Sequence, residues 1–208
     1  ILARRPEIMV TGVTSGQELE PLLTRPSLLV VGPGLGRSAW SEQMLQQATL
    51  CGLPMVLDAD GLNMLAADRV VREPKRDNWI LTPHPAEAAR LLGITTADIQ
   101  QDRVAAVQSL QQRYGGVMVL KGAGTLICGA DGAVSICNGG NPGMASGGMG
   151  DVLSGIIGSL LAQGLNLLDA ASLGVCLHAE AADIAAKQGE RGLLASDLIA
   201  QLPGLVNP

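Results

Sequence analysis

At 208 residues, 47% hydrophobic and 16% charged, the chain has the balance of a globular protein with one sizeable core, neither disordered nor fibrous. A formal net charge of −5 argues against a nucleic-acid backbone or an anionic membrane as partner, and only Trp40, Trp79 and Tyr114 are aromatic, too few for a base-stacking platform. Cys51, Cys128, Cys137 and Cys176 show no CxxC or paired metal spacing, so they read as free thiols of a reducing compartment. No stretch reads as a membrane span or a signal peptide, and the expected location is cytoplasmic. The chain opens on Ile1 without an initiator methionine, inside what reads as an Ala/Arg helix end, which suggests a fragment.

In chain order, residues 7–10 are a short strand candidate. Ser15 reads as the cap of a helix to about residue 24, with Glu18 at the capping-box position. Residues 28–31 form a continuous apolar run, as expected of a strand buried on both faces. They end in Gly32-Pro33-Gly34-Leu35-Gly36, and Ser38 then opens a helix to about residue 51. This run resembles a dinucleotide fingerprint, but the frames from Gly32 and from Gly34 both lack their last glycine, and Pro33 removes a donor. It reads equally as a close approach to a flat ligand or as a tight turn. A strand at 55–57 ends in Asp58-Ala59-Asp60-Gly61. Asp60 reads first as the cap of a short helix at 62–67, and Asp58 is open to another role, such as holding Mg²⁺ through water.

A strand at 79–81 ends in Thr82-Pro83-His84-Pro85, and the helix after it carries Glu87. A longer helix runs from Thr96 to near Tyr114. A buried strand at 117–120 leads into Lys121-Gly122-Ala123-Gly124-Thr125, and a hairpin pairs 126–128 with 134–137. Alanine-rich helices fill 149–164, 168–188 and 196–202, with His178 mid-helix as a packed or surface residue. Strands alternating with helices predict an α/β fold with a mostly parallel sheet, whose ligand edge is the carboxyl ends of the strands.

The most informative stretch is residues 138–158, NGGNPGMASGGMGDVLSGIIG. Gly139, Gly140, Gly143, Gly147, Gly148 and Gly150 crowd a loop that runs directly into an amphipathic helix. Glycines let backbone N–H groups turn toward an anion, and the helix N-terminus adds about half a positive charge there. A phosphate site is the expectation, with Asp151 in the first helical turn. The bland alternative is a glycine-rich turn whose acidic residue complements the helix dipole. Lys121 at a strand end could reach a nucleotide phosphate, although the P-loop order GxxxxGK[ST] is absent. His84 and Glu87 at a strand-to-helix turn are candidates for substrate and for a metal-bound water.

Taken together, VVGPGLGRS, LDADGLNML, LTPHPAEAARLL, VLKGAGTLI and NGGNPGMASGGMGDVLSGIIGSLLAQG, in that order, resemble the ADP-dependent NAD(P)H-hydrate dehydratase family of the ribokinase-like superfamily. The resemblance covers residues 28–178. It implies a three-layer α/β sandwich over residues 1–208, a single dehydratase domain lacking the family's N-terminal strand–helix–strand region. It also implies a reaction. The S form of hydrated NADH or NADPH is phosphorylated on its ring hydroxyl by ADP (ATP in some relatives), and phosphate is then expelled to restore NAD(P)H and leave AMP.

By the same resemblance, Asp151 faces the substrate hydroxyl as the catalytic residue. Gly34, Gly36, His84, Glu87 and Arg90 contact the hydrate. Lys121, Gly122, Ala123, Gly124 and Thr125, with Asn141, Gly147, Gly148 and Gly150, hold the nucleotide, and Glu87 is a candidate for Mg²⁺ through water. An epimerase domain on the same full-length chain and a homo-oligomer are further expectations. Two alternatives stay open: a small-molecule kinase of the thiazole or sugar type, and a nucleotide-binding fragment without turnover.

Overall fold

A computed structural model describes residues 5–207; the helix end expected at residues 1–4 lies outside them. Six strands form one sheet in sequence order. The parallel strands are β1 (Leu29–Val31), β2 (Met55–Leu57), β3 (Trp79–Leu81) and β4 (Val117–Leu120). The hairpin β5 (Thr125–Cys128) and β6 (Val134–Cys137) then adds antiparallel to β4.

Strand side chains alternate between two cores. Met55, Leu57, Trp79, Leu81, Met118, Leu120, Leu126 and Cys128 point to one face. There they meet α2 (Ala39–Leu50), α3 (Ala59–Ala66), α4 (Pro85–Leu92) and α6 (Arg103–Tyr114). Val56, Ile80, Val117, Val119 and Ile127 point to the other face, against α7 (Met149–Ala162) and α8 (Leu167–Ala185). Coverage on both faces explains why β2, β3 and β4 read as unbroken apolar runs, whereas β1, expected to be buried on both faces, is an edge strand of the described sheet with Val30 42% exposed. The result is the expected three-layer α/β sandwich. The short α1 (Gly16–Leu19) packs beside α2, α5 (Thr96–Gln101) leads into α6, and α9 (Ala195–Val206) closes a third apolar cluster of Met149, Ala181, Ala182, Leu193 and Leu198. Among the described residues, no helix is long and apolar enough to cross a membrane.

Three further expectations are corrected. Residues 7–10 join none of the six strands, and Met9 is 99% exposed; three apolar residues without a sheet neighbour have nothing to bury against. The helix expected from Thr96 to Tyr114 breaks at Asp102, whose extended backbone and Oδ1, accepting from the Ala105 amide at 2.9 Å, start α6 afresh. The cap of α3 is Asp58, not Asp60: Asp58 Oδ1 accepts from the Ala59 amide at 2.9 Å, which starts the helix three residues early.

His178, mid-α8, is only 7% exposed, and its Nε2 has no hydrogen-bond partner among the described residues. Burial, aided by the charge of Lys121 and opposed by the Met149 backbone, lowers its pKa to about 4. The unfolded chain takes up this proton near pH 6.5, whereas the folded protein resists until about 4. Stability attributable to His178 is therefore complete above pH 6.5 and lost as pH falls toward 4, by about 3 kcal/mol in total. Denaturant unfolding across that window should show this loss, and His178→Gln should flatten it; identical pH profiles for the two proteins would refute the assignment.

Candidate functional site

The loops that leave the parallel strands gather at one sheet edge. After β1, Gly32 sits at φ +123°, and a Cβ there would stand 1.8 Å from the Asp58 carbonyl oxygen. The close approach that this glycine permits is therefore to the neighbouring strand's own loop. Gly34 (φ +64°) faces open space. The Gly36 amide donates to Asp60 Oδ2 at 2.9 Å, and Asp60 also pairs with Arg37 at 3.4 Å. Asp60 thus anchors the glycine turn instead of capping α3.

At the end of β3, His84 caps α4. Its Nδ1 accepts from the Ala86 and Glu87 amides at 3.1 and 3.4 Å, and Glu87 Oε2 accepts from the His84 amide at 2.8 Å. An accepting Nδ1 places the neutral ring's proton on Nε2, which lies 3.3 Å from Glu87 Oε1. Burial, with Lys121 and Arg90 nearby, lowers the His84 pKa against the opposing pull of Asp58. Glu87 is buried, and that burial raises its pKa, with Asp58 adding to the effect; Lys121, the His84 amide and Arg90 work the other way. Arg90 donates to Asn63 Oδ1 at 2.8 Å and so ties α4 to α3.

At the end of β4, Lys121 Nζ lies 2.8 Å from Asp58 Oδ1 and 4.0 Å from Glu87 Oε2. Its amide donates to the Pro83 carbonyl at 2.9 Å, which joins this loop to the His84 loop. Arg103 holds the loop from beneath, donating to the carbonyls of Ala123 (2.6 Å), Leu120 (3.2 Å) and Lys121 (3.4 Å). Gly122 (φ +144°) lies against that guanidinium, where a Cβ would come within 3.0 Å. Thr125 Oγ1 donates back to the Gly122 carbonyl at 3.1 Å.

The first half of the glycine-rich loop is bolted to α8. Asp183 accepts from the Gly140 amide and from Asn141 Nδ2, each at 2.9 Å, and Asn141 Oδ1 accepts from the Gly143 amide at 3.0 Å. The second half is open. Gly147 and Gly148 are exposed, and Gly148 (φ +87°) starts α7 with no side-chain cap. The first-turn amides of α7 have no intrahelical partner. A Cβ on Gly150 would lie 3.2 Å from Lys121 Nζ and 3.6 Å from Asp58 Oδ2. Asp151, next in the chain, is exposed.

One continuous group therefore unites Gly150, Lys121, Asp58, Glu87 and His84. Gly34 and Gly36 hang on the Asp60 side of the same edge, and the Asn141 side chain is committed to shaping its own loop. The site is open to solvent at His84, Gly147, Gly148 and Asp151. Two cavities of about 420 and 280 Å³ lie at the opposite sheet edge, lined by Gly116, Val117, Leu28, Pro54, Asn166 and Leu167 among others, and hold none of these residues. Sequence reasoning missed Arg103, Asp183 and Ser154. Ser154 had a signal: it is a polar residue on the apolar stripe of α7, one turn beyond Gly150.

Strand-end loops converging on a glycine-capped helix in this three-layer sandwich define a ribokinase-like protein. A family model for NAD(P)H-hydrate dehydratase matches residues 1–204, and the chain belongs to that family. It is 54% identical over 205 residues to the bifunctional NAD(P)H-hydrate repair enzyme Nnr of Coxiella burnetii, covering 98% of this chain and 41% of the relative. It is 43% identical over 209 residues to an ADP-dependent (S)-NAD(P)H-hydrate dehydratase of Neisseria meningitidis serogroup B, covering 95% and 68%. Among solved structures, the ADP/ATP-dependent NAD(P)H-hydrate dehydratase of Bacillus subtilis, co-crystallised with ATP/Mg²⁺, superposes with a TM-score of 0.75 at 29% identity, covering 86% of this chain and 64% of that one. The chain spans about two-fifths of the length of the bifunctional relatives it matches.

Proposed function

We propose that this chain carries out ADP-dependent dehydration of the S form of hydrated NADH and NADPH. The observation that carries the reading is the uncapped N-terminus of α7, with Lys121 against Gly150 and Asp151 beside it. Unpaired amides, a helix dipole and an ammonium group converge there, as a transferring phosphoryl group requires.

In this reading, Lys121 to Thr125 and the Gly147–Gly150 amides hold the nucleotide, with Asn141 keeping their loop in shape. Gly34, Gly36, His84, Glu87 and Arg90 border the hydrate. Asp151 accepts the proton of the ring hydroxyl, or orients it, as the terminal β-phosphoryl group of ADP is transferred to that oxygen and AMP leaves. The ring nitrogen lone pair then expels phosphate, a far better leaving group than hydroxide. NAD(P)H, AMP and phosphate are the products. Phosphoryl transfer of this kind is mostly positioning and charge stabilisation, which suits preorganised amides more than a strong base.

A direct Mg²⁺ ligand role for Glu87 does not fit. One of its oxygens is held by the His84 amide, the other faces His84 Nε2, and burial favours its protonated form. Asp58 is likewise committed on both oxygens. Mg²⁺ is left to the nucleotide phosphates, as that ion's habit of binding through substrate allows. An epimerase on the same full-length chain is the further reading, supported by similarity to bifunctional repair enzymes of which this chain spans about two-fifths.

The test mixes the protein with hydrated NADH, Mg²⁺ and ADP and follows reduced-nicotinamide absorbance. Recovery that requires ADP and yields AMP supports the reading; a stable phosphorylated product would make the protein a kinase instead. Arg103→Lys should raise the KM for ADP about tenfold with kcat nearly unchanged, because an ammonium cannot reproduce the guanidinium fork on three carbonyls. An unaltered KM would remove Arg103 from nucleotide binding.

A further inference from the structure

We propose that Asp58 and Ser154 form a positioning lock, which sets the rotation of α7 and thereby places the Gly150–Asp151 turn against Lys121 for the phosphoryl step. The kinetic part of this inference rests on the dehydratase reading. The Asp58 carboxylate is 1% exposed and accepts three hydrogen bonds. Oδ1 takes the Ala59 amide at 2.9 Å and Lys121 Nζ at 2.8 Å, and Oδ2 takes the Ser154 hydroxyl at 2.8 Å. Capping α3 uses only the first of these. The other two tie the end of β2 to the end of β4 and to α7, the two elements that supply the cation and the open amides.

Ser154 is fully buried and lies four residues beyond Gly150, on the same stripe of α7. Its neighbours toward the sheet, Leu153, Ile156 and Ile157, make apolar contacts that lack direction. A helix held by such contacts alone can roll slightly, whereas one directional bond fixes its azimuth. With Ser154 on Asp58, Gly150 faces the Lys121–Asp58 pair, and Asp151, about 100° round the helix, faces outward. A buried ionic network is weak as a source of net stability, and fixing geometry is a use that suits it better.

The test compares Ser154→Ala with the unsubstituted protein by kinetics and by hydrogen exchange. Loss of the lock should lower kcat roughly ten- to hundredfold, as small misplacements near a reacting centre do, while the KM for ADP stays within about threefold. Amide exchange at residues 152–155 should speed up about tenfold, with the last two turns of α7 unchanged, as for a local rather than global opening. Asp58→Asn should lose at least as much kcat, and adding Ser154→Ala to it should cost little more, since the two act through one bond. A kcat for Ser154→Ala within about twofold per folded molecule, or exchange that rises uniformly along α7, would overturn the lock. The exchange measurement needs no turnover. If the unsubstituted protein fails to dehydrate the hydrate, the dehydratase reading falls and exchange alone decides the lock.

Discussion

Asp151→Asn is expected to lower kcat by about 10²–10⁴, the range typical of a lost acid–base or orienting group. The substitution keeps the side chain's size and leaves the start of α7 alone, because Gly148, not Asp151, occupies the cap. Removing a negative charge from a helix N-terminus costs about 0.3–1 kcal/mol of stability, too little to account for a hundredfold loss. ADP affinity should survive, since the amides and Lys121 that meet the nucleotide remain. Steady-state kinetics beside an ADP titration separate the two effects. A mutant with turnover within about threefold of the unsubstituted protein would take Asp151 out of the chemistry.

Lys121→Ala is expected to act twice. It withdraws the cation 2.8 Å from a carboxylate that is 1% exposed, and breaking a buried pair from one side typically costs about 3–5 kcal/mol. The low end applies, because the Ala59 amide and Ser154 hydroxyl continue to donate to Asp58. The substitution also removes the ammonium beside Gly150, so ADP affinity should fall by about tenfold or more, as expected for a charge-assisted phosphate contact. Denaturant unfolding and calorimetric ADP titration read the two losses separately. Adding Asp58→Asn should restore part of the stability and none of the affinity. Unchanged ADP binding in Lys121→Ala would make this lysine purely a partner of Asp58.

How much of this was legible follows from which physical signals are local. β2, β3 and β4 announced themselves because burial on both faces leaves no polar position in the run. The α2 and α4 starts were marked by Ser38 and by the His84–Glu87 turn, whose capping bonds join residues three apart. The start of α7 at Met149 was readable because the glycine run gives way there to a helical apolar stripe. What escaped was long-range. Nothing near Asp58 in sequence says that Lys121 and Ser154, 63 and 96 residues away, will share its carboxylate. Asp60 lost the cap to Asp58 through an anchor on Gly36, 24 residues back. Arg103 reads as an ordinary helix-start charge until the fold brings three carbonyls to it. The Asn141 side chain donates to Asp183, 42 residues further on, a pairing that no neighbour in sequence announces.

The most direct measurement follows the oxygen of the substrate's ring hydroxyl. Hydrated NADH carrying ¹⁸O at that position, incubated with the protein, ADP and Mg²⁺, should give phosphate that contains the label, with one AMP formed for each NADH restored. Label appearing in water, or NADH forming without AMP, would contradict phosphorylation of the hydroxyl at the α7 N-terminus and the account built on it.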